Sequence, residues 1–252
     1  MNVYYTDKAY EYEYGDLISR IVGISNRSQF KEYFKSEELL RDQHEKTVIK
    51  ITGNAANLFV KVWWDYGVIR LIKDCLKGGK RGVREARGLN LLVEKGFKTP
   101  TLIVYGAMKH NIVSGFSFAI TEEIKNASTL DQILFRNNSR DVVKKASLAL
   151  SKIHRQNLIY GDFNYENILI DDKNHCKYYF LDWLGVKQSK SQNRRYNDVA
   201  NFIYEIETHL EYEYKDEITK IFLDEYIRLT GCKHNSKFRQ NISDKIQRRK
   251  KY

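Results

Sequence analysis

Between Thr47 and Val104 the apolar residues come in short runs separated by polar turns. Thr47-Val48-Ile49-Lys50-Ile51 is rich in β-branched residues, Thr52–Asn57 is turn-like, and Leu58-Phe59-Val60-Lys61-Val62-Trp63 is a second run, so the pair reads as a β-hairpin. The period then changes. Leu89, Leu92 and Val93 lie at helical spacing from Glu85, which predicts a helix over Gly82–Lys95 that buries these positions and stops at Gly96. Pro100 breaks the chain before a strand at Thr101–Tyr105, and Gly115–Thr121 is the next strand, ending at Glu122-Glu123-Ile124. Beyond this point the pattern is mostly helical. Val143, Ala146, Leu150 and Ile153 form a stripe on a helix over 141–156. Further helices are expected over 198–210 and 215–230, the latter with Ile218, Ile221, Phe222 and Leu229 inward and Gly231 at its end. A β-rich front half with one prominent helix and a mainly helical back half predict an α+β chain of two lobes, 1–124 and 125–252.

Composition narrows the picture modestly. At 252 residues with 42% hydrophobic content, the chain is an ordinary globular one. Cys75, Cys176 and Cys232 show neither metal spacing nor a disulfide framework, which fits a reducing cytoplasm. The first twenty residues carry Asp7, Lys8, Glu11, Glu13 and Asp16, so no signal peptide is expected, and no apolar run is long enough to span a bilayer. The net charge of +11, from 43 basic and 32 acidic residues, favours anionic partners without choosing among them. Eight of the cations fall in Lys233–Tyr252, which reads as a solvated tail able to contact a membrane or a glycan.

Chemistry concentrates around Gly161-Asp162-Phe163-Asn164-Tyr165-Glu166-Asn167. An Asp and an Asn at this spacing arise by chance about once in a chain of this length, and both residues favour ordinary turns. The context lifts the signal. Leu158-Ile159-Tyr160 and Ile168-Leu169-Ile170 flank the loop as strands, and a third strand, Tyr178–Leu181, ends in Asp182 with Gly185 shortly after. A carboxylate that accepts the acceptor hydroxyl's proton and an Asn oxygen that holds Mg²⁺ are two parts phosphoryl transfer requires. Asp162 is the candidate base, and Asn167 with Asp182 the candidate Mg²⁺ ligands. Lys61, on an apolar strand, would reach the α- and β-phosphates of ATP, with Glu85 on the next helix pairing and fixing it; Lys50 is a rival strand lysine. Glu85 shares its face with Leu89 and Leu92, where an unpaired acid would be costly. His154 reads as the cap of its helix, and Tyr160, Phe163, Tyr165 and Trp183 as core or site wall.

Taken together these segments resemble the protein-kinase-like fold, and more narrowly the lipopolysaccharide core kinases of the Kdo/WaaP and InaA-like type. The resemblance runs from about Thr47 to Leu210. It is carried by Phe59–Trp63, Arg84–Leu89, Gly96–Pro100, Ser117–Glu123 with Thr129-Leu130, Tyr160–Asn167, Leu181-Asp182 and Asp198–Ala200. It implies an ATP-dependent kinase acting on a heptose or Kdo hydroxyl of the inner core, with Glu122 and Glu123 beside Lys61 and Glu85 in nucleotide binding. It also implies a cytoplasmic enzyme with peripheral contact at the anionic inner membrane of a Gram-negative bacterium, and no nucleic-acid partner. Two departures stand out: Tyr160 takes the place of the family's usual His before Gly-Asp, and Lys35–Lys46 holds no glycine for a phosphate loop. A small basic kinase of a tRNA-modification complex and a non-catalytic kinase-like binding module are the alternatives.

Overall fold

The computed structural model describes residues 2–53, 56–111, 114–137, 140–174, 177–209, 212–231 and 235–249. Asn54 and Ala55 of the expected turn, Leu210, Cys176, Cys232 and the last three residues of the expected tail lie outside that set. The chain forms two units, one of Met1–Asn90 with Pro100–Ile124, the other of Leu91–Thr99 with Lys125–Tyr252.

The first unit begins with strand β1 (Asn2–Tyr5), helices α1 (Lys8–Val22) and α2 (Arg27–Tyr33), and strands β2 (Glu38–Gln43), β3 (Lys46–Ile51) and β4 (Leu58–Tyr66). Helices α3 (Val68–Leu76) and α4 (Arg81–Glu94) precede β5 (Leu102–Lys109) and β6 (Ser114–Glu122). The strands make one antiparallel sheet in the order β1-β5-β6-β4-β3-β2, with β4 between β3 and β6. Period-two alternation divides β4 between two faces. Leu58, Val60, Val62 and Trp64 join Ile18, Ile21 and Ile24 of the α1 region and Phe30 and Phe34 of the α2 region in one buried cluster. Phe59, Lys61 and Trp63 therefore point to the opposite face. Helices α1 and α2 thus cover the sheet face that does not carry Lys61.

Helix α4 comes very close to β6. A Cβ on Gly82 would lie 2.6 Å from the Phe118 carbonyl oxygen, and the Gly82 amide donates to Ser117 Oγ at 3.1 Å. This backbone contact sets where Glu85, one turn later, is held. Leu89 and Leu92 are buried as expected, but Val93 is 53% exposed. At i+4 from Leu89 it stays on the same side of the helix, but it sits in the last turn, next to the final residue Glu94, where that side is open to solvent.

The second unit contains β7 (Ala127–Thr129), α5 (Leu130–Asn137), α6 (Arg140–Arg155), β8 (Leu158–Ile159), β9 (Ile168–Asp171), β10 (Tyr178–Phe180) and β11 (Lys187–Gln188). Helices α7 (Gln192–His209), α8 (Tyr212–Thr230) and α9 (Asn235–Arg249) follow. Antiparallel β7-β9-β10 and the small β8-β11 pair carry the loops of interest. The α6 stripe is buried as predicted. On α8, Ile218 and Phe222 are buried with Leu223 and Tyr226, while Ile221 and Leu229 are only half-buried.

The expected solvated tail is instead a docked helix. In α9, Phe238, Ile242 and Ile246 repeat every four residues and are 3%, 1% and 5% exposed. Five cations on the remaining positions of the helix mask this stripe in the composition. Phe238 stacks on Tyr226 at 5.7 Å and meets Tyr196 edge-on at 5.3 Å, joining α9 to α8 and α7. Phe238→Ala is expected to cost about 3–5 kcal/mol, the usual range for truncating a core phenylalanine, read as a lower midpoint in denaturant unfolding.

Candidate active site

The loop that follows β8 is suspended from a buried carboxylate. Asp198 on α7 is fully buried, and its two oxygens accept from the Tyr160 and Gly161 amides, each at 2.8 Å. His154 Nε2 lies 3.0 Å from the same carboxylate, and His154 Nδ1 lies 2.5 Å from the Tyr226 hydroxyl. Burial lowers the His154 pKa, against the opposing pull of Asp198, so the ring is neutral at neutral pH. One assignment then satisfies every group: Nε2–H donates to Asp198 and the Tyr226 hydroxyl donates to Nδ1. His154 is therefore a buried strut, correcting the expectation of a helix cap; an exposed helix end offers neither the burial nor the carboxylate.

Glycine is required at position 161. Its φ is +91°, and a Cβ there would come 2.9 Å from Gly185 Cα, while one on Gly185 would come 2.8 Å from the Tyr160 carbonyl oxygen. The backbones of the loop and of the segment after Asp182 touch at these two glycines. The Tyr160 hydroxyl donates to the Leu181 carbonyl, directly before Asp182. Tyr160, Phe163, Tyr165 and Trp183 are all buried, so they are core. Asp162 is exposed at the tip of this rigid base.

The β9–β10 hairpin aligns the other two candidates. Ile168 pairs with Phe180, and the Leu181 amide donates to the Asn167 carbonyl at 2.9 Å. Asn167 and Asp182 therefore leave the hairpin at the same end. Asn167 Nδ2 donates to the Asp162 carbonyl at 3.0 Å, which orients the amide and ties it to the loop. Asp182 has φ +55°, a left-handed conformation uncommon outside glycine and characteristic of functional positions.

In the first unit, Lys61 Nζ lies 2.7 Å from Glu85 Oε1, and the Glu85 side chain is 1% exposed. Lys50 Nζ pairs instead with Glu123 Oε1 at 2.7 Å, an interaction that raises the lysine's pKa. Glu123 Oε2 accepts from Asn57 at 2.5 Å, and the Glu122 and Glu123 amides donate to the Thr101 and Asn57 carbonyls. The Glu123 carboxylate is thus engaged with its own strand neighbours.

The lipopolysaccharide kinase (Kdo/WaaP) family model matches residues 38–203. The chain belongs to this family. It is accordingly a phosphotransferase that uses ATP, a kinase of the lipopolysaccharide core. No curated protein matches it. Among solved structures, WaaP in complex with acyl carrier protein is similar over 98% of this chain and 99% of its own, at 15% identity and a TM-score of 0.60. The amicoumacin kinase hAmiN in complex with AMP-PNP, Ca²⁺ and Ami is similar over 90% and 86%, at 11% identity and a TM-score of 0.52. Both likenesses establish the protein-kinase-like fold.

In this Kdo/WaaP kinase the sequence points to Asp198 only through the family resemblance and to His154 only as a cap; it misses their role behind the loop, with Tyr226 and with Asn201, whose Nδ2 lies 3.4 Å from the Gly161 carbonyl. An acid next to the apolar Val199-Ala200 was the available signal, since burial there demands partners.

The two lysines separate by mutation. Lys61→Met leaves the buried Glu85 without its cation, so a loss of about 3–5 kcal/mol in stability is expected along with loss of ATP binding. Lys50→Met breaks a half-exposed pair and should cost about 1 kcal/mol or less. Calorimetric ATP titration and melting curves of both variants check this; ATP binding lost only in Lys50→Met would reverse the assignment.

Proposed function

We propose that this Kdo/WaaP kinase transfers the γ-phosphoryl group of ATP to a heptose or Kdo hydroxyl of the lipopolysaccharide inner core, with Asp162 as the base. The observation that carries the reading is the exposed Asp162 on a loop whose backbone is clamped by Asp198, with Asn167 and Asp182 at one end of the adjoining hairpin. In the reaction the sugar oxygen attacks the γ-phosphorus as the bond to the bridging oxygen breaks and ADP leaves. The hydroxyl proton passes to the Asp162 carboxylate. Such chemistry depends on positioning and charge more than on covalent help, which is what a clamped loop supplies.

The donor set fits Mg²⁺. Asn167 and Asp182 offer oxygen ligands only, in the small number that Mg²⁺ takes when substrate phosphates complete its shell. Among the described residues no cluster of three or more His, Cys, Asp or Glu offers a rival metal site. The bound cation would neutralise charge on the phosphate oxygens. Lys61, fixed by Glu85, would contact the α- and β-phosphates. Glu122 and Glu123 would serve the nucleotide through backbone groups other than their amides, which donate to the Thr101 and Asn57 carbonyls, since the Glu123 side chain is occupied too. A glycolipid acceptor and the +11 charge favour a cytoplasmic protein in peripheral contact with an anionic membrane.

The test incubates the protein with ATP, Mg²⁺ and dephosphorylated core saccharide bearing Kdo alone or Kdo with heptose, and weighs the products. A gain of one phosphate group on either acceptor supports the reading, and its pattern identifies the sugar. ATP turnover stimulated by tRNA, with no glycan product, would replace the reading with that of the tRNA-linked kinases.

A further inference from the structure

Helix α3 exposes a row of apolar side chains. A surface helix normally buries its apolar stripe and exposes its charges. Here Ile69, Ile72 and Leu76, at positions i, i+3 and i+7, are 72%, 53% and 82% exposed, and Leu76 is the most exposed aliphatic side chain among the described residues. Among the described side chains of α3, the buried one is charged. Asp74 is 3% exposed and lies 3.8 Å from Arg70, 3.7 Å from Lys80 and 4.0 Å from Arg84. Arg70 and Arg81 also reach Glu45 in the turn between β2 and β3. Ion pairs around Asp74 and Glu45 thus tie α3 down from its charged side, with Ile69, Ile72 and Leu76 outward.

Isolated exposed aliphatics are common on soluble proteins, but three on one face of a nine-residue helix make a contiguous patch. The neighbouring charges indicate what covers it. Lys73 and Lys77 are exposed and border the stripe on the helical projection next to Ile69. Protein interfaces are depleted in lysine, whereas helices lying in a membrane surface carry lysines beside the apolar face, stems along the lipid and ammonium groups among the headgroups. The +11 net charge of the chain has the sign an anionic surface attracts.

We propose that α3 is a membrane-docking helix, inserting Ile69, Ile72 and Leu76 into an anionic lipid surface with Lys73 and Lys77 at the headgroups; this deepens the glycolipid reading above by naming the surface on which the enzyme works. Three side chains and two lysines give reversible rather than permanent attachment.

The test uses the full chain and vesicles of phosphatidylcholine with phosphatidylglycerol, without ATP or acceptor. Native Trp63, Trp64 and Trp183 are at most 2% exposed, so a tryptophan placed by Leu76→Trp reports its own surroundings. Its emission is expected to shift to the blue on adding these vesicles and to shift much less with phosphatidylcholine alone. Ile72→Asp combined with Leu76→Asp should weaken vesicle co-sedimentation tenfold or more, while melting and turnover of a soluble core saccharide stay at wild-type values. No blue shift with anionic vesicles, or wild-type co-sedimentation of the aspartate variant, would overturn the proposal. So would a blue shift that appears without vesicles as mass doubles in light scattering, which would assign the patch to a second copy. Vesicle binding without any glycan phosphorylation would leave docking standing and remove the acceptor reading.

Discussion

Asp198→Ala is expected to destabilise the second unit by about 3–5 kcal/mol, the range found when one member of a buried charged network is deleted. The substitution strips acceptors from three donors at once: the Tyr160 amide, the Gly161 amide and His154 Nε2. Each buried donor left without a partner costs about 1–3 kcal/mol, and relaxation or water entry recovers part of the sum. Against a typical total of about 5–15 kcal/mol, this is a large share. Melting should fall by about 10 °C, given roughly 2–4 °C per kcal/mol for a domain of this size. Asp198→Asn keeps one oxygen acceptor and should lie between wild type and Ala. Tyr226→Phe, which removes only the hydroxyl donor to Nδ1, should cost about 1 kcal/mol. Equal melting of Asp198→Ala and wild type would refute the anchor.

The same network sets a pH dependence. The folded His154 pKa lies below its unfolded value because burial opposes the charge. Below the unfolded value of about 6.5, the unfolded chain therefore binds a proton that the folded chain does not. Stability is fully present above that pH and declines as pH falls, until the folded value is reached and the difference saturates. Denaturant unfolding between neutral pH and mildly acidic pH should show the slope in wild type, and His154→Phe should flatten it.

What could be read from the sequence was local. Lys61 and Glu85 sit on neighbouring elements with clear periods, so their pairing followed from alternation in β4 and from the apolar face of α4. The strand-loop-strand around Asp162 was legible for the same reason. Asp198 was not, because its partners lie 37 and 38 positions away and nothing local shows which amides it will meet. The α9 helix was hidden by charge: three apolar residues at four-residue spacing are easily lost among five cations. Val93 has the period of a buried position, being i+4 from Leu89, and its exposure in the last turn of α4 reflects what packs there and not its register.

Asp162→Asn is expected to lower kcat by about 10²–10⁴, the usual contribution of a positioned general base. Asparagine has nearly the same shape and still accepts a hydrogen bond, but it cannot take up the acceptor's proton. The substitution leaves in place the Tyr160 and Gly161 amide bonds to Asp198 and the Asn167 bond to the Asp162 carbonyl, which hold the loop backbone. Melting and ATP affinity should therefore stay close to wild type, and the loss should appear in kcat and kcat/KM together, as for a group that acts in the transition state. Asn167→Ala separates the metal role from the base role. Loss of an oxygen ligand should raise the Mg²⁺ concentration needed for half-maximal turnover, and excess Mg²⁺ should restore part of the rate, which it cannot do for Asp162→Asn. Steady-state turnover of the core saccharide across a Mg²⁺ titration measures both. A Asp162→Asn enzyme within tenfold of wild type, at any Mg²⁺ concentration, would remove Asp162 from the chemistry and leave the clamped loop without its assigned base.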